Sequence, residues 1–253
     1  TNVAWQWKAG TAFTNDASAT SVGSIDSAGS VSTTAGFSVI SWTGDGNNGA
    51  TIAHGLGATP AIVITKRRDD TADFQIGGSL IDTVRGGANS LLLLNTNAVI
   101  DSNSEVYQTF SSTTFQVGVN AYINTNNATM ISYCFKDVQG YSKFGSYTGT
   151  ANADGAFVYT GFKPRWIMIK GTNIARNWGI NDTKRSPINQ TQDSLYANVA
   201  DAETGSGNYI DFLSNGFKLR DTALTMNGAY KYIYMAFAEN PFVTSTGVPA
   251  TAK

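Results

Sequence analysis

Pro60-Ala61-Ile62-Val63-Ile64-Thr65-Lys66 and Pro164-Arg165-Trp166-Ile167-Met168-Ile169-Lys170 are two runs of one pattern, opened by proline, closed by lysine and set 104 residues apart. Each apolar stretch is too short for a globular helix, and proline is tolerated at the first residue of a strand, so both runs read as strands. The match continues on either side. Upstream, Phe37 through Trp42-Thr43-Gly44 stands beside Phe144 through Tyr147-Thr148-Gly149, and His54-Gly55-Leu56 beside Thr160-Gly161-Phe162. Downstream, Phe74-Gln75-Ile76 matches Trp178-Gly179-Ile180 at the same offset. Leu92 and Asn95 match Leu195 and Asn198 at 103 residues. Phe115-Gln116-Val117 matches Phe217-Lys218-Leu219 at 102, as Ile131 through Phe135 matches Ile233 through Phe237. A slowly drifting offset is the mark of one unit duplicated with small loop changes.

Each repeat offers about seven short runs rich in Val, Ile, Thr, Tyr and Phe, broken by Gly, Asn and Asp clusters. In Tyr230-Lys231-Tyr232-Ile233-Tyr234-Met235-Ala236-Phe237 the period is two, which sends tyrosines to one face and aliphatics to the other. No segment keeps a 3.6-residue apolar period. The expected fold is all-β: two tandem, related, antiparallel β-sandwich-like repeats of about 100 residues behind an N-terminal extension. The divisions are 1–35 (an extra strand at Trp5 and Trp7, then a Ser/Thr/Gly-rich stretch of linker character), 36–140, 141–242, and an extended tail at 243–253.

Composition narrows the function. In 253 residues only 14% are charged, while 30 Thr and 26 Gly supply a polar, uncharged surface, and 11% aromatics leave ample core material. A net charge of −1 lacks the basic footprint of a nucleic-acid or anionic-membrane binder. No apolar run, Leu91–Leu94 being the most obvious, approaches a membrane span of roughly 20 residues, and no signal-peptide pattern opens the sequence. A single cysteine, Cys134, rules out an internal disulfide framework and a cysteine zinc cage, and reads as a small buried hydrophobe. With one histidine and no recognisable nucleophile–base pair, the chain reads as a non-enzyme needing no cofactor and no metal.

His54 precedes a turn and reads as a side chain hydrogen-bonding that turn rather than as a catalytic base. Asp45-Gly46-Asn47-Asn48-Gly49 and Asn152-Ala153-Asp154-Gly155 offer oxygens of the kind calcium takes, but lack the bidentate Glu of an EF-hand, and Asn, Asp and Gly are what tight turns require. The run Lys66-Arg67-Arg68-Asp69-Asp70 neutralises itself and reads as a solvated loop, with Asp182-Thr183-Lys184-Arg185 in the corresponding region. A glycosidase needs two carboxylates set across a cleft, and no pair stands out among 18 acidic residues. Trp42, Phe74, Tyr147 and Trp178 read as core. Trp5, Trp7, Tyr141, Tyr209, Tyr230 and Tyr232 are less constrained and are the candidates for stacking on sugar rings, with Asn- and Thr-rich loops supplying hydrogen bonds.

The stretches Trp5-Gln6-Trp7-Lys8-Ala9-Gly10, Gly140-Tyr141-Ser142-Lys143-Phe144-Gly145-Ser146-Tyr147, Asn215-Gly216-Phe217-Lys218-Leu219-Arg220 and Tyr234-Met235-Ala236-Phe237-Ala238-Glu239-Asn240-Pro241-Phe242 carry a resemblance. The chain resembles a duplicated β domain of tailed-phage virion surface proteins, the tail-fibre-like proteins common in phages of aquatic bacteria. The resemblance covers nearly the whole chain and brings no catalytic residues. It implies a place on the virion surface, in a tail fibre or head fibre, as a fibre-tip adhesion module for host receptor binding, with a bacterial surface glycan or protein and other virion proteins as partners. A purely structural role, as a capsid decoration or fibre-shaft module, is the alternative. A symmetric homo-oligomer, a trimer by preference, is expected because fibres act multivalently, and no membrane insertion or nucleic-acid binding is expected.

Overall fold

The structure is a computed structural model and describes residues 4–8, 10–205, 207 and 209–240; the predicted tail at 243–253 lies outside the described residues. The chain divides into two compact units, the first up to residue 91 together with 102–136, the second comprising 92–101 and the chain from 137 onward.

Unit 1 contains β1 (Thr11–Asn15), β2 (Ser27–Ser32), β3 (Phe37–Thr43), β4 (Ala50–Ala53), β5 (Ile62–Arg67), β6 (Gln75–Gly77), β7 (Ser90–Leu93), β8 (Asp101–Ser102), β9 (Tyr107–Phe110), β10 (Thr114–Val117) and β11 (Thr129–Phe135); β7 and β8 each run into the 92–101 segment. The large sheet has the order β1-β2-β3-β11-β5-β6-β7-β8, and the small one β4-β10-β9. The core lies between them: Ile40, Trp42, Val63, Met130 and Cys134 from one sheet face Ile52, Tyr107, Phe115 and Val117 from the other, all buried, with Trp42 and Tyr107 edge-on to Phe115. Cys134 is a free thiol, and burial pushes its pKa up to about 12.

A polar chain crosses this core. The Trp42 indole N–H donates to Ser132 Oγ at 3.0 Å, the Ser132 and Thr65 hydroxyls are 2.8 Å apart, and the Tyr107 hydroxyl donates to Thr65 Oγ1 at 2.8 Å. Each buried polar atom here has a partner, which offsets the cost of removing it from water.

Unit 2 contains β12 (Ser142–Thr148), β13 (Phe157–Tyr159), β14 (Pro164–Gly171), β15 (Gly179–Asp182), β16 (Leu195–Tyr196), β17 (Ile210–Leu213), β18 (Gly216–Leu219) and β19 (Lys231–Ala238). Its sheets have the orders β12-β19-β14-β15-β16 and β13-β18-β17. Val158, Ile167, Ile169, Phe217, Tyr232 and Tyr234 meet in the core between them. Both units are therefore antiparallel and sandwich-like. Ile131 stands opposite Lys66 in unit 1, and Ile233 opposite Lys170 in unit 2.

Three expectations are corrected. Trp5 and Trp7 lie in no strand, and the stretch read as a linker forms β1, the short helix α1 (Ala17–Thr20) and β2, which extend the large sheet past β3. Its serines and glycine pair in the ladder as larger residues do, because every residue but proline carries the same backbone N–H and C=O. Residues 92–101 belong with unit 2: Ile100 N–H donates to Thr172 O, and the buried Trp178 indole N–H to Leu93 O. The alternation expected of β19 holds, and Ile233, Met235 and Phe237 on its second face are buried like the tyrosines on its first. A further helix, α2 (Ser79–Arg85), has too few turns to show a period; it ends at Gly86 in the left-handed region.

Candidate functional site

The extension gives unit 1 an open groove. β1 pairs with β2 and β2 with β3, so Thr14, Ala28 and Ser41 line up across the outer face, with Thr43 opposite Thr129 nearby. Asp16 caps α1, accepting the Ala19 N–H at 3.0 Å and the Ser18 hydroxyl at 2.7 Å, bonds that hold its carboxyl below its usual pKa. Asp26 accepts the Ala17 N–H at 2.8 Å, and Ser24 is fixed by the Thr51 N–H at 2.9 Å. With Asp45 and Arg68, these residues enclose an open groove of about 670 Å³. Its lining combines small hydroxyls, an amide, three carboxylates and one guanidinium with the apolar Ile25, Ala28, Trp42 and Met130. Such a surface offers many fixed hydrogen-bond partners and suits a neutral or amine-bearing polyhydroxylated ligand better than a polyanion.

The carboxylates of this groove hold backbone amides: Asp16 that of Ala19, Asp26 that of Ala17 and Asp45 that of Asn47. Trp42 underlies the groove but is buried, its indole N–H spent on Ser132, so it supplies no stacking face. Sequence reasoning missed the site because Thr14–Asp16 and Ser24–Ala28 lie in the stretch of linker character and the rest of the lining comes from strands and loops distant in the chain. Asp16 ahead of Ala17-Ser18-Ala19, a helix-capping arrangement, was the available signal.

The six aromatic candidates are not brought together. Trp5 and Trp7 are half-buried, and Trp7 packs edge-on against Phe135 of unit 1 at 6.2 Å. Tyr141 is half-buried edge-on to Phe237 at 5.9 Å. Tyr209 is half-buried, its backbone N–H held by Asp221, and Tyr230 is half-buried against the core of unit 2. Tyr232 is corrected outright. It is fully buried, stacked on Tyr147 at 5.2 Å, with its hydroxyl donating to Leu224 O and accepting the Gly228 N–H; burial raises its pKa to about 12.

The other singled-out groups are structural. His54 is wholly buried; its Nδ1 accepts the Leu56 N–H and its Nε2 faces Ser111 O, both at 3.2 Å, and burial lowers its pKa to about 4. At the Thr160-Gly161-Phe162 turn a hydroxyl does the same work, donating to Phe162 O at 2.6 Å. In the Asp45 loop the Asn124 side-chain NH₂ donates to Asp45 Oδ1, Asn47 O and Gly118 O, so an amide nitrogen sits where those oxygens converge. Asn227 likewise bonds Asn152 O and Asp221 O under the Asn152 loop. Arg67 ties the charge run down through Asp69, Ala121 O and Thr125. Arg185 pairs with the buried Asp182 and with Glu203.

Among the described residues no helix is long and apolar enough to cross a membrane. No curated protein and no solved structure matches the chain. A family model matches residues 1–241, nearly the full length, and the chain belongs to that family, described as Domain of unknown function (DUF7483).

Proposed function

We propose that the chain is a virion-surface module of a tailed phage that holds a bacterial surface glycan without turning it over, as a fibre-tip adhesion element. The observation that carries this reading is the hydroxyl- and carboxylate-lined groove of unit 1, about 670 Å³ and open to solvent. Its volume lies within the roughly 300–1,000 Å³ of small-molecule sites. The resemblance to virion surface proteins supplies the setting, and the engagement of Asp16 and Asp26 with backbone amides favours binding over catalysis.

The two units are, on this proposal, copies of one module. The strand sequence β3-β11-β5-β6-β7 has the same connectivity as β12-β19-β14-β15-β16, and β4-β10-β9 the same as β13-β18-β17. Assembly as a trimer at the virion surface would multiply weak glycan contacts by avidity. Trp7 packs on Phe135 of its own unit, so the oligomer rests on multivalency alone and not on the tryptophans.

Saturation-transfer NMR with oligosaccharides released from host envelope tests the groove. Thr129→Trp, which fills it, and Arg68→Ala, which removes its cation, are expected to weaken binding at least about tenfold, a change of about 1.4 kcal/mol. Binding by Thr129→Trp equal to that of the parent chain would overturn the groove reading. Failure of the parent chain to bind any host glycan would favour the purely structural role.

A further inference from the structure

Among the described residues no strand pairs with the outer side of β13, and this edge strand carries two rings on its solvent face. Phe157 and Tyr159 stand two residues apart, 47% and 65% exposed, while Val158 between them enters the core. Directly opposite them on β18 are Lys218 and Gly216. A Cβ at Gly216 would come within 3.1 Å of Phe157 Cε2, so the Phe157 ring overlies that glycine. A Cβ at Gly161, whose φ is +85°, would meet the hydroxyl end of Tyr159 at 3.6 Å. Each ring thus leans over a residue without a side chain and keeps its other surface in water.

Beside Tyr159 opens a pocket of about 310 Å³ lined by Gln139, Ser142, Lys143, Asp137, Thr160 and Gly161. Lys143 donates to Asp137, whose other oxygen accepts the Phe144 N–H at 2.8 Å, so the ion pair is fixed by the backbone. At the Phe157 end, Asp154 bonds both Lys218 and Arg220. In unit 1 the corresponding edge is covered: Thr51 O accepts the Ser24 and Ile25 N–H groups, and Ala53 O accepts the Ser27 hydroxyl.

We propose that Phe157 and Tyr159 form a stacking platform for a neutral saccharide chain, with one sugar ring seated in the adjoining pocket and its hydroxyls received by Gln139 and the Lys143–Asp137 pair. This rests on the reading of the chain as a glycan-binding module, but not on the groove of unit 1. The C–H face of a pyranose is apolar with a positive edge and complements the negative face of an aromatic ring. Side chains two apart on a strand are about 6.6–6.8 Å apart, a spacing that lets successive sugar rings of an extended chain meet successive aromatics. The pocket stands at the lower limit for small-molecule sites, about 300 Å³, which suits one ring rather than several.

The test is isothermal titration of the full chain with the hexamer of β-1,4-linked glucose and that of N-acetylglucosamine, followed by saturation-transfer NMR. Tyr159→Ala and Phe157→Ala should each weaken binding by about twofold to tenfold, and the double variant should abolish it. Tyr159→Phe should retain it, and Tyr122→Ala, at an exposed ring outside both the platform and the groove, should leave this binding unchanged. Thermal midpoints within error of the parent chain would show that these exposed substitutions leave the fold intact. Parent-like binding by the double variant overturns the platform; if Arg68→Ala removes that same binding, the groove reading survives alone. No binding of either hexamer by the parent chain also overturns the platform, while groove binding to host oligosaccharides would still stand. A shift from oligomer to monomer in the double variant, without loss of sugar binding, would assign the rings to a protein contact instead.

Discussion

At His54 the Leu56 amide donates to Nδ1, so the proton of the neutral ring sits on Nε2, facing Ser111 O. Protonating Nδ1 would break the first bond inside a site with no exposure to water. The ring therefore titrates near 4 in the folded chain against 6.5 when unfolded, with burial as the main cause and Lys136 adding repulsion. Between these values the unfolded state binds the extra proton, so stability falls as pH drops from about 6.5 to 4, by about 3 kcal/mol in all. Thr160 shows that a hydroxyl can hold such a turn. His54→Thr is expected to flatten the acid limb of a thermal-midpoint profile between pH 7 and 4, and an unchanged limb would assign it to other groups. The buried relay gives a second residue-scale expectation. Tyr107→Phe removes a hydroxyl that serves Thr65 and lies 3.1 Å from Gln75 O, and should cost about 1–2 kcal/mol in urea unfolding with little change in slope. His54 as a turn partner was readable from its neighbours. The relay was not, because Tyr107, Thr65 and Ser132 are brought together only by the stacking of two sheets.

The Asp45 and Asn152 loops are held by buried amides as well as by their own turn residues. Asn124 donates to three oxygens and accepts the Asp45 N–H at 3.1 Å. Asn124→Ala leaves four groups short of a partner and is expected to lower stability by about 2–4 kcal/mol. Asn124→Asp should cost more, since it replaces two donors with an anion among oxygens that already include a carboxylate. Chemical denaturation of the two variants checks the order; Asp milder than Ala would mean that a cation can enter in place of the amide. The sequence marks both loops as turns through Asp, Asn and Gly. It does not show that Asn124 and Asn227, 103 residues apart and therefore in register with the other matches, are what they turn around. The same holds for β1 and β2. Their Ser, Ala and Gly carry weak strand preference, and a ladder partner with an exposed edge at β3 decides their state.

For the molecule as a whole, the two units are not bounded where the repeats meet in sequence. The 92–101 segment supplies unit 2 with the Leu93 carbonyl for Trp178, the Asn97 carbonyl 3.3 Å from Lys170 Nζ, and the Ile100 N–H for Thr172. Lys170 is fully buried and also donates to Gly171 O at 2.7 Å; burial lowers its pKa to about 8. A chain begun at residue 137 would lose these partners together. It is expected to melt well below the parent chain, or to bind a dye for exposed apolar surface, whereas a version with 92–101 joined at its start should recover cooperative unfolding. Equal midpoints for the two fragments would show that the segment is dispensable. Light scattering of the intact chain tests the proposed oligomer against the mass of one chain, 26.8 kDa.

Period-two alternation, prolines at strand starts and the repeated offset made the strands legible, because these features report on backbone geometry and burial within a few residues. Ile62–Arg67 and Pro164–Gly171 accordingly stand beside β11 and β19 with matched partners. The proposed sites were hidden for the opposite reason. The groove joins residues near 14, 26, 41 and 129, and the platform needs Gly161 and Gly216 under two rings. Whether a tyrosine such as Tyr159 faces water or one such as Tyr232 is sealed within the core depends on what the opposing sheet places over it. Local pattern assigns a side chain to a face of its strand; only the tertiary structure decides whether that face is covered, because covering it takes residues distant in the chain.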